Sequence, residues 1–188
     1  MSYFDIYEDL DDHLARGWEG RRQEDYRWTL GPAIEEMPNF FVRRIDPRRN
    51  ESPYVYATVG AFEVDEHAMR EFFILSPVES PRHVETLAMV SHYHSFFQHR
   101  LHHGSVLDLG RPWIDGSAGH HIFVSWPYVL EEGQDICRTS MGDVTYLWLI
   151  PIFKNEAKFI KNKGAEAFGD LLEESGVDLV DPRRLSVV

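Results

Sequence analysis

The run Gly142-Asp143-Val144-Thr145-Tyr146-Leu147-Trp148-Leu149-Ile150-Pro151-Ile152 decides the fold. From Val144 to Ile150 it carries no charge and is rich in β-branched and aromatic side chains. Such a run suits a strand buried on both faces, because neither side of the pleat offers water a polar surface. Pro151 has no N–H to give to a ladder and is expected to close the strand. A helix-patterned stretch follows, roughly Asn155 to Ser175, and the sequence ends on the extended Asp181-Pro182-Arg183-Arg184-Leu185-Ser186-Val187-Val188. No residue in this region has a catalytic arrangement.

Working outward, Phe4, Tyr7, Leu10 and Leu14 recur at helical spacing, so residues 3–17 read as an amphipathic helix ended by Gly17 and Gly20. Strands are predicted at Trp28–Leu30, Phe40–Ile45, Tyr54–Gly60, Phe72–Leu75, Val106–Leu109 and Ile122–Ser125, separated by Gly-Pro, Asp-Pro and polar turns. A second long helix is expected from about Pro81 to Leu101. Strands therefore come in consecutive runs divided by two long helices rather than in strict βαβ alternation. That order predicts an α+β fold: a central, mostly antiparallel or mixed sheet, two long helices packed on it and an N-terminal helix. No repeat or low-complexity linker interrupts residues 1–188, which read as one domain.

Composition narrows the function. With 43% hydrophobic and 13% aromatic residues, 188 residues can bury a full core. There is no apolar run long enough to span a bilayer, and the acidic start lacks the order of a signal peptide, so a cytoplasmic protein is expected. The single Cys137 excludes an internal disulfide and a cysteine-based zinc site. Thirty-one acidic residues against 19 basic ones give a net charge of -12, which phosphate backbones repel and a basic protein partner attracts. Arg43, Arg44, Arg48 and Arg49 form a short loop-side cluster with Asp46 and Glu51 beside it.

The chemistry-bearing side chains give no enzyme constellation. His92, His99 and His103 fall on one helical stripe, opposite an arc of Met89, Val90, Tyr93, Phe96, Phe97 and Leu101. The stripe is expected to be solvated. His92 and His99 stand about 10 Å apart along a helix, too far to share an ion held at about 2 Å per ligand. His99 and His103 lack a third ligand, so no metal is assigned. Cys137 reads as a small buried hydrophobe, and Ser117 in Gly116-Ser117-Ala118-Gly119 lacks the Gly-x-Ser-x-Gly elbow. No phosphate loop, dinucleotide fingerprint or paired-carboxylate spacing is present, so no catalytic residue and no cofactor are assigned. What remains are large aromatics beside acids at strand ends: Trp113 with Asp115, and Tyr128 with Glu131 and Glu132. These five are the candidate partner-binding residues.

Six segments carry a family resemblance when taken in order: Pro53–Gly60, Glu71–Leu75, His103–Trp113, Ser125–Tyr128, Leu147–Ile152 and Asp181–Val188. Together they resemble the suppressor of fused family from about Tyr54 onward, most closely at the C-terminus, while the first fifty residues match poorly. One departure is Phe153, where the family places a threonine able to cap the helix. Asn155 is the substitute cap expected here. The resemblance implies a bacterial-type, non-enzymatic binding module. The founding animal member restrains a transcription factor, partly by taking a short peptide as an added strand. Bacterial relatives are regarded as immunity proteins that neutralise polymorphic toxins encoded nearby. The implied partner is therefore a protein, in particular a basic toxin domain, and neither nucleic acid nor a membrane. The alternatives are an orphan peptide-binding regulator that adds a partner strand, and a metal protein or small enzyme using the His-rich helix.

Overall fold

The computed structural model describes residues 3–31, 33–48, 53–65 and 68–188. Strands β1 (Gln23–Tyr26), β2 (Phe41–Ile45), β3 (Tyr54–Val59), β4 (Arg70–Ser76), β5 (Val106–Asp108), β6 (His121–Ser125), β7 (Ile136–Thr139) and β8 (Gly142–Ile152) share one sheet. Its order is β1-β2-β3-β4-β8-β6-β5, with β7 paired to β8 beside that path. Every pairing is antiparallel except β4 with β8, so the sheet is mixed, as expected. The helices are α1 (Tyr3–Gly17), α2 (Ala33–Glu36), α3 (Arg82–Ser95), α4 (Lys154–Lys163) and α5 (Ala165–Ser175).

The pleat sorts the apolar residues into two cores. On one face Val55, Ala57, Phe73, Tyr146, Trp148 and Ile150 pack with Leu10 and Leu14 of α1, Ile160 of α4 and Phe168 of α5. On the other, Tyr56, Phe72, Ile74, Leu147 and Leu149 pack with Val84, Leu87 and Val90 of α3. Strand β8 contributes to both, which is why its sequence has no polar face. Pro151 does not end the strand. It pairs with Ile122 inside the ladder, and its carbonyl accepts from Arg184 Nη2 at 3.0 Å. N–H and C=O of one strand residue point to the same edge, so the missing N–H lies on the edge served by that side chain and breaks no bond to β6.

Several boundaries differ from those expected, each for a physical reason. The first strand is the polar Gln23–Tyr26 rather than Trp28–Leu30. It is an edge strand held by cross-strand ion pairs, Glu24 with Arg44 at 2.9 Å and Asp25 with Arg43 at 2.7 Å, instead of by apolar alternation. Arg43 and Arg44 are accordingly buried in β2, with Asp11 at 2.6 Å completing the set around Arg43. Arg49 and Glu51 lie outside the described residues. In α1 the buried stripe is Ile6, Leu10 and Leu14, while Phe4 is exposed. Strand β7, too short to announce itself, joins β8 through a turn at Ser140–Met141. The last helix is two helices, because Gly164 turns the chain at φ 94° between α4 and α5. Gly60 is also required: it has φ 109°, and a Cβ there would lie 2.5 Å from Tyr7 Oη and 3.1 Å from Phe40 Cα.

Helix α4 starts at Lys154, two residues earlier than Asn155 capping would allow. Its N-terminus is held by Glu156, whose Oε2 accepts from Phe153 N at 2.9 Å. The same carboxylate is fully buried, receives both terminal nitrogens of Arg184 at 2.8 Å, and accepts from Val187 N at 3.0 Å. Asn155 instead ties down the tail by donating to Ser186 Oγ and the Val188 carbonyl, both at 2.7 Å. The terminal motif is thus a clamp that holds the tail across the start of α4. Removing one member of a buried ion pair leaves the other uncompensated. Arg184→Ala is therefore expected to cost about 3–5 kcal/mol, read as a lowered urea midpoint. An unchanged midpoint would show that the tail does not dock.

Candidate functional site

The five candidate residues do not form one site. Trp113 is 2% exposed and lies in the α3-side core, where its Nε1 donates to Ser117 Oγ at 2.9 Å. It cannot meet a partner; it holds the loop in which Ser117 Oγ also accepts from Gly119 N at 3.0 Å. Ser117 is therefore buried as a loop staple, without a base beside it. Asp115 is exposed and pairs with Arg82 at 3.0 Å at the start of α3. Tyr128, Glu131 and Glu132 lie together on the loop between β6 and β7, next to the core on the other face of the sheet.

That loop is displayed rather than collapsed onto the core. Trp126 is 46% exposed, Tyr128 62% and Val129 48%, while Glu131 and Glu132 point into solvent. Its conformation is nonetheless defined. Leu130 N donates to the Pro127 carbonyl at 2.9 Å, and Glu131 N donates to Gln134 Oε1 at 2.9 Å. The Gln134 carboxamide also donates to the Gly17 carbonyl, and the Gln134 carbonyl lies 3.0 Å from His13 Nε2, so α1 anchors the far end. Tyr128 Oη and Ser125 Oγ are 2.5 Å apart, and Trp126 stacks on His103 at 5.4 Å between ring centres.

Beside the loop runs a groove of about 580 Å³ lined by Tyr128, Val129, Trp148, Leu172 and Leu179. Glu166, Asp170 and Glu173 of α5 form its acidic wall. Val129 also lines a second groove, with Trp18, Arg21 and Glu131 in its walls, so the loop is a ridge between two concavities. The arrangement combines exposed aromatics, an apolar floor and a carboxylate rim, the chemistry of a surface for a cationic protein segment. The spacing of Tyr128, Glu131 and Glu132 pointed to this loop. Trp148, Gly169 and the α5 acids were missed, because the strand and helix that carry them read as core and as an ordinary solvated face.

The histidines are not a stripe. Helix α3 stops at Ser95, where Phe96 takes φ -77° and ψ 124°, and Leu101 N turns back to donate to His94 Nδ1 at 2.8 Å. The face turned to the sheet holds His83, Thr86, Ser91 and His94 among Val84, Leu87 and Val90, whereas Met89, Tyr93, Phe96 and Phe97 are exposed. Buried histidine and hydroxyl side chains took places assigned to the apolar arc, and three of them are hydrogen-bonded: His83 to Ser76 Oγ at 2.8 Å, Thr86 by Arg111 and His94 by Leu101 N. His92 approaches Glu36 at 3.9 Å, His99 stacks on Tyr93 at 4.2 Å, and His103 approaches Glu166 at 3.6 Å. Among the described residues no group of three or more His, Cys, Asp or Glu is placed to hold a metal ion. Cys137 is buried, its Sγ is 3.5 Å from the Asp9 carbonyl, and burial pushes its thiol up to about 12, far from a thiolate nucleophile. No helix among the described residues is long and apolar enough to cross a membrane.

A mixed sheet wrapped on both faces by helices and closed by a buried Glu–Arg clamp defines an α+β domain. Residues 42–185 match the family described as suppressor of fused protein (SUFU), and the chain belongs to that family. A crystal structure of a SUFU homologue from Neisseria gonorrhoeae FA 1090 superposes with a TM-score of 0.87 at 31% identity, covering 98% of each chain. The structure of the Sufu–Fu complex shares the fold at 13% identity, with a TM-score of 0.67 over 96% of this chain and 91% of that one. A 68-residue stretch is 34% identical to the protein named immunity protein YqcF from Bacillus subtilis (strain 168). That stretch is 36% of this chain and 35% of YqcF, about a third of each.

Burial holds His83 and His94 neutral, each with a pKa lowered to about 4; Arg111 and Arg82 add to this at His83, and Arg100 adds to it at His94. The unfolded chain takes up protons at these rings below about pH 6.5, whereas the folded chain does not until about pH 4. Stability is therefore expected to fall as pH drops through that window. Glu71, raised by burial to about 7 despite its bonds from Thr58 and the amides of residues 60–62, opposes this as one group against two. Proton NMR should find both histidine rings flat from about pH 8 to 5, since their folded pKa lies below that range. A midpoint near 6.5 for either ring would contradict its burial.

Proposed function

We propose that this chain is a non-enzymatic protein-binding module, an immunity protein that neutralises a basic toxin domain encoded nearby, and that it meets its partner with the 126–135 loop and α5. The observation that carries the reading is the displayed, acid-rimmed aromatic loop over a preformed groove. The likeness of one stretch to a protein named for immunity and the existence of a Sufu–Fu complex support it. So does the chemistry of Ser117 and Cys137, each of which has a structural use. In this reading a net charge of -12 draws a cationic partner in over about a Debye length, roughly 8 Å at physiological salt. The aromatic ridge then holds the complex. The chain acts in the cytoplasm of the toxin-producing cell.

A second reading rests on a different edge. β5 ends the sheet, and Val106 borders a groove with Lys154, Lys158 and Lys161 of α4. All four lysines of the chain lie between 154 and 163. A regulator that takes an acidic peptide as an added strand would use this edge.

The test is co-expression with a toxin gene found beside this one, then binding kinetics at two salt concentrations. Raised salt should slow association more than it speeds dissociation. Tyr128→Ala should weaken binding by on the order of 2 kcal/mol, mainly through faster dissociation, while leaving the fold intact. Glu131→Lys with Glu132→Lys should mainly slow association. Cells that are not rescued, with no basic partner co-purifying, would end the immunity reading. Loss of binding on removing the α4 lysines instead of Tyr128 would favour the β5 edge.

A further inference from the structure

We infer that the groove between the 126–135 loop and α5 takes an extended cationic segment of the partner, and that Trp148 Nε1 donates a hydrogen bond to a backbone carbonyl of that segment. This rests on the protein-binding reading above and says how the surface recognises its occupant.

Two independent features of the groove point to an occupant. The first is Trp148, which forms part of the groove wall, is 3% exposed, and has a buried Nε1 with no hydrogen-bond partner. A buried indole N–H normally has an acceptor, and leaving it without one is a standing penalty in the free protein. The indole is stacked against Phe73 at 6.2 Å on one side. Toward the groove it meets Tyr128 edge-on at 6.4 Å. Tyr128 is mostly exposed and its hydroxyl is held by Ser125 Oγ. Trp148 Nε1 thus lacks a partner in a wall that Tyr128 shares, and a chain laid in the groove against these two rings can supply a carbonyl.

The second feature is Gly169, in the interior of α5 and in the groove wall. Glycine weakens a helix interior relative to alanine. Nothing crowds this position: a Cβ built on Gly169 meets no heavy atom within 4 Å. Internal packing therefore does not explain the missing side chain. Its absence leaves the groove open along α5 beside Glu166, Asp170 and Glu173. A chain lying there runs past three carboxylates and onto Leu172 and Leu179, so alternating basic and apolar side chains fit it.

The experiment reads the indole N–H resonances, of which the five tryptophans give five, with Trp148→Phe assigning one. The probe is a capped heptapeptide of alternating arginine and valine, with its glutamate counterpart as control. The Trp148 Nε1–H signal is expected to move downfield with the arginine peptide and not with the glutamate one. Gly169→Leu should fill the groove, weakening peptide binding by at least about ten-fold without lowering the melting temperature. A Trp148 signal that does not move at millimolar peptide, or unchanged affinity in Gly169→Leu, would overturn the inference. A toxin partner bound equally by wild type and Gly169→Leu would also overturn it, while the protein-binding reading survived. A shifted Trp148 signal with no toxin rescued would uphold the groove and end the immunity reading.

Discussion

Strand β8 is hydrogen-bonded along both edges, and each edge supports a different part of the molecule. Along one edge, residues 145–148 run parallel to β4 and so carry the β1–β4 half of the sheet. Along the other, residues 148–152 pair with β6 and residues 142–145 with β7. Its side chains divide between two cores, so the helices on both faces pack against the same short segment. The 126–135 loop joins β6 to β7, two strands that both pair with β8, and Trp148 of β8 forms part of the groove wall beneath it. The candidate surface is therefore borne on the most constrained strand of the fold, the arrangement that lets an exposed loop keep a defined shape.

The same logic explains the buried charges. A chain with net charge -12 has few cations to spare, yet Arg43, Arg44 and Arg184 are all buried. Each joins elements that apolar contact alone would hold loosely: α1 and β1 to β2, β1 to the turn after β4 through Glu79, and the tail to α4. Spending arginines internally leaves the outer surface more acidic than the composition alone implies, apart from the lysine-bearing α4. The α4 lysines and the α5 carboxylates lie on neighbouring helices on one face of the sheet.

Much of this was legible in the sequence, and the failures have particular causes. The uncharged Val144–Ile150 run located the central strand, and the ordered segments from Pro53 to the terminal Ser-Val-Val located the family. The loop residues Tyr128, Glu131 and Glu132 were visible as aromatics beside acids. Trp113 was misjudged because the same signature describes a core tryptophan with a hydroxyl within reach, and only the fold supplies Ser117. Helix α3 was turned the wrong way because His83, Ser91 and His94 count as polar on any scale, although each lies buried against the sheet. β1 was misplaced because its stability comes from arginines on the neighbouring strand, which local periodicity cannot register. Gly169 and Trp148 acquire meaning only when α5 and β8 are set side by side.

The surface reading makes the 126–135 loop and α5 a single unit, since the aromatic ridge and the carboxylate wall face one groove. Contact there would leave the α3 side of the sheet, including the exposed Met89, Tyr93 and Phe97, free of the partner. Hydrogen–deuterium exchange on the purified chain, alone and saturated with the proposed toxin partner, separates these faces directly. Slowed exchange in residues 126–135 and 165–175, with α3 unchanged, is the result expected. Protection confined to α3 or to the β5 edge, with 126–135 exchanging as in the free chain, would contradict it.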